Sequence, residues 1–135
     1  MRKWKIEGQC TIGGLINILE ECPPLSTVRF RFGMIVPLSI DSWRWAYDEA
    51  TITYGFPNGK HPLVADLLGW LKNSVDPNKT FEGWKGGDYH FHLSTPIHVD
   101  ERGDVTCTEI SKVSVEGVGL GSTQTVWLHT KVRER

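Results

Sequence analysis

Thr27-Val28-Arg29-Phe30-Arg31-Phe32-Gly33-Met34-Ile35 changes polarity at nearly every step. Val28, Phe30, Phe32 and Met34 face one way; Thr27, Arg29 and Arg31 face the other. Side chains of a strand alternate sides, so this run predicts a half-buried strand whose second side meets solvent or a ligand. Residues 50–54, Ala-Thr-Ile-Thr-Tyr, alternate again and run into turn chemistry at Gly55-Phe56-Pro57-Asn58-Gly59. Residues 3–7 and 88–94 also read as strands, the second with Tyr89, Phe91 and Leu93 opposed to Asp88, His90, His92 and Ser94. Residues 105–115 are strand-like, but the apolar phase shifts near Glu109-Ile110, which predicts a bulge or bend. Glu101-Arg102-Gly103-Asp104 and the glycine-rich residues 117–121 read as turns. The last strand covers 123–132, with Val126, Leu128 and Val132 on one face and Trp127, His129 and Lys131 on the other.

Two stretches carry helical spacing instead. Residues 61–75 place Leu63, Val64, Leu67, Leu68, Leu71 and Val75 on one stripe, with Pro62 suited to the first helical position and Asp66 to the positive N-terminus. Asp76-Pro77-Asn78 stops that helix. Leu15, Ile16, Ile18, Leu19 and Cys22 form the second stripe; Thr11 is placed to cap it, Gly13-Gly14 weakens its first turn, and Pro23-Pro24 ends it. Strands dominate, so the expected architecture is α+β. It is one domain over residues 1–135, a mostly antiparallel β-sheet with one or two helices packed on one face. An exposed edge such as the last strand needs protection, and self-association supplies it, so a homo-oligomer is expected.

At 39% hydrophobic and 23% charged the chain has the balance of an ordinary globular domain. The net charge of −1 argues against a nucleic-acid partner held by phosphate neutralisation. Basic runs at Arg2-Lys3-Lys5, Arg29-Arg31 and Lys131-Arg133-Arg135 read as solvated strand faces. Three cysteines, Cys10, Cys22 and Cys107, lack zinc spacing and fit free thiols. The N-terminal residues lack the apolar core of a signal peptide, and no apolar stretch reaches membrane-spanning length. These features predict a protein of the cytosol with no membrane partner.

Half of the aromatic residues lie in two short segments, residues 42–49 (Ser-Trp-Arg-Trp-Ala-Tyr-Asp-Glu) and residues 81–92 (Phe-Glu-Gly-Trp-Lys-Gly-Gly-Asp-Tyr-His-Phe-His). Aromatic faces stack on planar rings, and Arg and Lys hold anions. Gly86-Gly87 allows close backbone approach. A nucleotide needs these chemistries together, which makes Trp43, Arg44, Tyr47, Trp84, Lys85, Gly86 and Gly87 the candidate ligand-binding residues. The alternative is that the aromatics pack the core and the charges mark its solvated rim.

Other constellations are thinner. His90-Phe91-His92 would set two imidazoles on one strand face beside Asp88, a metal or hydrolytic arrangement, or else a polar face in water. His92-Leu93-Ser94 has the His-x-Ser form used in pairs by some phosphodiesterases, but His61, His98 and His129 supply no second copy. Gly117-Val118-Gly119-Leu120-Gly121 has no Lys and reads as a turn or an anion nest. Of Asp48 and Glu49, one is placed to hydrogen-bond a base or ribose hydroxyl, or to serve as a turn or helix-start residue. No nucleophile elbow, phosphate loop or dinucleotide fingerprint is present, so no catalytic residue, metal ligand or cofactor is assigned.

Over residues 36–100 the chain resembles a family of small proteins encoded by bacteriophages and prophages. Those proteins carry an aromatic-Arg-Gly-Tyr-Tyr-Glu-Asp-Leu-Ala-Leu type segment after a Ser, then Thr-Phe-x-Gly-Tyr-Lys-Gly-Gly-Glu-Phe and a Thr-Pro. Residues 42–52 match the first motif, residues 80–89 the second, and Thr95-Pro96 follows. Trp45 and Ala46 stand where the family has Gly and an aromatic, and His90 and His92 where it has Thr and an acid. The resemblance therefore favours Arg44, Tyr47, Lys85, Gly86 and Gly87 over the histidines. It implies an anti-defence factor in the host cytosol that binds and sequesters a small nucleotide-like immune messenger without cleaving it. Two alternatives stay open: a messenger-cleaving hydrolase using Asp88, His90 and His92, and a protein-binding inhibitor with a Trp-rich surface.

Overall fold

A computed structural model gives the fold, and it describes residues 2–31, 35–42, 49–57, 61–78, 81–82, 88–89, 91–99, 106–117 and 124–134. In chain order the elements are β1 (Arg2–Lys5), α1 (Ile12–Leu19), β2 (Thr27–Phe30), β3 (Val36–Ser42), β4 (Ala50–Gly55), α2 (Val64–Ser74), β5 (Phe81–Glu82), β6 (Asp88–Tyr89), β7 (Ile97–Val99), β8 (Thr106–Glu116) and β9 (Thr125–Glu134). The main sheet runs β2-β9-β8-β7-β4-β3, with β1 added to β8, and β5 with β6 forms a separate ribbon. Only β2–β9 and β4–β7 pair in parallel; the other ladders are antiparallel. The fold is α+β, as the sequence predicts.

The long β8–β9 pair slips register between Ile110 and Lys112. That bulge is why the apolar phase of the sequence shifts there. Ile110 and Val113 are an odd number of residues apart, yet both are buried in the one core. With them on the helix-covered face lie Val28, Phe30, Ala50, Ile52, Ile97, Val99, Val126 and Leu128. Partners in register share a face and neighbours along a strand alternate, so Arg29, Thr51, His98, Glu109, Lys112, Ser114, Trp127, His129 and Lys131 occupy the other.

In α1, Thr11 caps the start: its Oγ1 accepts from the Gly14 N–H at 3.1 Å. Ile12, Leu15, Ile16 and Leu19 are buried. Cys22 lies just beyond the helix and is buried as well. Gly13 has a role the sequence does not reveal. Its N–H donates to Leu93 O at 2.8 Å, and a Cβ there would stand 2.9 Å from that oxygen. The second helix is shorter than the predicted 61–75. It starts at Val64, with Leu63 as its N-cap, so Pro62 lies ahead of the first helical position. Asp66 accepts from the Leu63 N–H at 2.8 Å, and Val64, Leu67 and Leu71 are buried.

Four further expectations are corrected. The strand predicted over 27–35 ends at Phe30, whose N–H donates to Ile35 O at 3.2 Å as the chain enters β3. β3 itself was not expected. It tolerates Pro37 because it is an end strand, and its register shifts between Pro37 and Ser39. The strand predicted over 88–94 stops at Tyr89, and Leu93 is exposed rather than part of a buried face. The last strand is no edge, because β9 lies between β2 and β8. The outer side of β2 is itself bonded to the segment before α2, with the Val28 N–H on Pro62 O at 2.9 Å, so an oligomer formed to protect a strand edge would use β3 or β1. The turns expected at 101–104 and 118–121 lie outside the described residues.

Two substitution series test this packing. Leu67→Ala or Leu71→Ala removes a fully buried side chain and should cost about 2–5 kcal/mol in denaturant melts. Two of the helical glycines, Gly69 and Gly13, should differ in sign. Gly69 has nothing within 4 Å of an added Cβ, so Gly69→Ala should stabilise the protein, by about 0.5–1 kcal/mol. Gly13→Ala should destabilise it, because Leu93 backbone fills that space.

Candidate functional site

The seven residues expected to bind ligand, Trp43, Arg44, Tyr47, Trp84, Lys85, Gly86 and Gly87, lie outside the described residues. Their flanks are described. Ser42 pairs with Ala50 across β3 and β4, so the first aromatic segment is carried between two paired strand ends. Glu82 pairs with Asp88 across β5 and β6, and the Gly83 to Gly87 run is carried in the same way.

The first segment is tied down where it rejoins the sheet. Glu49 Oε1 lies 2.9 Å from His98 Nε2. His98 is 1% exposed, so this contact is shielded from water on the imidazole side. The neighbouring strands add polar groups on the same face. Thr51 Oγ1 donates to His98 O at 3.3 Å, and Glu109, also 1% exposed, stands in register with His98. Glu49 is therefore engaged with a buried histidine rather than serving as a turn residue; Asp48 lies outside the described residues. His98 is too deeply buried to act as a base on a bound substrate. Its chemistry here is positional: it fixes the carboxylate at the root of the aromatic segment.

Sequence reasoning passed over this pair. In the sequence His98-Val99-Asp100 fails the His-x-Ser form and offers no other motif. Its signal is a lone imidazole between Ile97 and Val99, both fully buried. The His90–His92 pair fares differently. His90 lies outside the described residues, and His92 is exposed, with its N–H on Thr95 Oγ1 at 2.8 Å in a turn. The strand face on which both imidazoles were to stand does not extend that far.

A second constellation gathers around Trp127. Arg29 and Arg31 hold their guanidinium carbons 5.4 and 4.8 Å from its ring centroid. Next to it, His129 Nε2 and Ser114 Oγ are 2.7 Å apart. His129 is held below its usual pKa of 6.5, first by burial, then by Lys112 and Arg31, with Glu116 opposing. Among the described side chains, the Cys10 and Cys22 thiols are buried and held in the protonated form. Burial pushes Cys10 up to about 12, with Glu109 adding to it. Burial likewise pushes Cys22 up to about 11, with Arg2 opposing and Glu21 adding.

Two clefts are lined by described residues. One of about 430 Å³ lies between Arg2, Glu21, Pro23 and Glu116. One of about 260 Å³ lies between Val36, Leu38, Pro57, His61 and Trp70. Neither lining includes Glu49 or His98. No helix among the described residues is long and apolar enough to cross a membrane. Compared with known proteins, the chain matches no family model, no curated protein and no solved structure.

Glu49→Ala should cost about 1–3 kcal/mol in denaturant melts, because it removes a hydrogen bond made by a buried imidazole. The His129 shift predicts a pH effect of definite sign. The unfolded chain takes up this proton more readily than the folded one, so no stability is lost to it above pH 6.5. Stability should fall as pH drops below that value, and melts at pH 7 and pH 5 should converge in His129→Gln.

Proposed function

We propose that this chain is a phage-encoded anti-defence protein that binds a nucleotide-derived immune messenger of the host and holds it without cleavage. The observation that carries this reading is the mounting of the two aromatic-cation segments. Each is carried between paired strand ends, and the first is anchored through Glu49 to buried His98. A site mounted on fixed strand ends loses less entropy when it closes on a ligand. Trp43, Tyr47 and Trp84 stack the base, Arg44 and Lys85 hold phosphates, and the Gly86 and Gly87 amides assist. Retention follows from slow release. Against cleavage stand the exposed, turn-bound His92 and the inaccessible His98.

Calorimetry against cyclic dinucleotides and ADP-ribose derivatives tests this reading. Arg44→Ala and Lys85→Ala should each weaken binding roughly ten- to a hundredfold, the value of one charged hydrogen bond, with the melting temperature nearly unchanged. Mass spectrometry after denaturation should recover the ligand intact. A hydrolysed product would favour the enzyme, and capture of a host protein with no nucleotide bound would favour a protein inhibitor.

A further inference from the structure

Basic residues far apart in the sequence meet on one side of the sheet. β1 brings Lys3 and Lys5, β8 brings Lys112, β9 brings Lys131, and β2 brings Arg29, with Arg31 just past its end and its N–H on Leu128 O. The registers align them across four adjacent strands. Lys3 pairs with Ser114, Ser114 with Trp127, and Trp127 with Arg29; Lys5 pairs with Lys112, and Lys112 with His129. With neighbouring strands about 4.8 Å apart, the patch is roughly 14 Å wide.

Among the described residues, none of these six cations is in an ion pair; those present join Arg2 to Glu21, Lys72 to Glu20 and His98 to Glu49. Glu116 borders the patch from β8, near His129. Gathering like charge on one face raises the local potential and draws in anions. His129 is held below its usual value first by burial, and Lys112 and Arg31 push in the same direction. Arg29 Nε is buried and has no hydrogen-bond acceptor. The cations are strung along an open sheet rather than gathered round one point, which suits a row of phosphates better than a single one. Arg29 and Arg31 lie over the Trp127 ring, and nucleic-acid bases stack on guanidinium planes as they do on aromatic rings.

We propose that this face binds single-stranded nucleic acid, with Lys3, Lys5, Lys112 and Lys131 on the phosphates and the Arg31–Trp127 stack beneath a base. The overall charge of −1 is no obstacle: Glu20, Glu21, Asp66 and Asp76 lie on or beside the helices, away from this face, and Glu109, in register with Lys131, is 1% exposed, which leaves the cations to dominate the accessible surface. The surface uses neither Arg44 nor Lys85, so it stands apart from the messenger reading.

Fluorescence polarisation of the full chain with a labelled thymidine oligonucleotide of about 16 nucleotides tests it. Binding should weaken steeply between about 50 and 200 mM salt. Arg29→Gln with Arg31→Gln should weaken binding about tenfold or more. Lys5→Gln with Lys112→Gln should flatten the logarithmic salt slope by roughly 2, and this pair carries the test if the arginine variant fails to fold. Lys72→Gln, on α2, should bind like the parent. No binding at the lower salt, equal loss in Lys72→Gln, or displacement by polyglutamate as effective as by unlabelled oligonucleotide would each overturn the proposal; the last would point to an acidic protein.

Discussion

The antiparallel pairing of β8 with β9 is the constraint on which the rest of the sheet depends. β2 is attached to the outer side of β9, and β1 and β7 share the outer side of β8. The bulge between Ile110 and Lys112 makes that sharing possible. β7 pairs with Thr108 and Glu109 on one side of it, and β1 pairs with Lys112 to Val115 on the other. A bulge increases local twist and bends its strand, so one strand edge is turned toward two neighbours in succession. Through β7 the pair also carries β4, and through β4 the hairpin bearing the first aromatic segment.

This dependence puts the Glu49–His98 anchor and the basic residues on the same side of the sheet but at different places. Helices α1 and α2 fill the other side with apolar residues. Toward β7 and β4 the open side carries Glu49, Thr51, His98 and Glu109, with Thr51, His98 and Glu109 nearly fully buried. Toward β1 and β2 it carries lysines and arginines around Trp127. A buried imidazole hydrogen-bonded to a carboxylate favours a fixed geometry, since moving either group forfeits a hydrogen bond in poorly solvated surroundings. The exposed cations Lys3, Lys5, Arg31 and Lys131 make no such demand and are open to an incoming anion. The first arrangement suits anchoring a segment, and the second suits capture.

What was legible in the sequence is what local periodicity determines. The Leu67 and Leu71 stripe, the Thr11 cap and the phase shift near Ile110 each follow from a few neighbouring residues, and each is found in place. What was missed depends on partners distant in sequence. β3 was hidden by Pro37, which forbids a central strand but not an end strand. Pro62 was read as the first helical residue because its ring fits there, whereas Asp66 bonding back to the Leu63 N–H sets the start later. His98 lies between two buried residues of a three-residue strand, too short for alternation to be read, and its partner Glu49 belongs to another strand region altogether.

The basic face shows the same limit in electrostatic form. Within each strand the alternation was visible: Lys3 with Lys5, Arg29 with Arg31, and Lys131 beside Trp127 and His129 each take one side. Taken singly, each is a pair of solvated charges of the kind any strand displays. Whether such pairs add or cancel is decided by strand order and by which side each pair faces, and neither is written in any one strand. Here β1, β8, β9 and β2 are adjacent and their registers bring the basic sides together. Glu20, Glu21, Asp66 and Asp76 lie on or beside the helices rather than on this face, so a nearly neutral chain still gathers cations locally. Net charge describes the far field, whereas a ligand in contact with the sheet meets the local one, which falls off over about a Debye length of 8–10 Å.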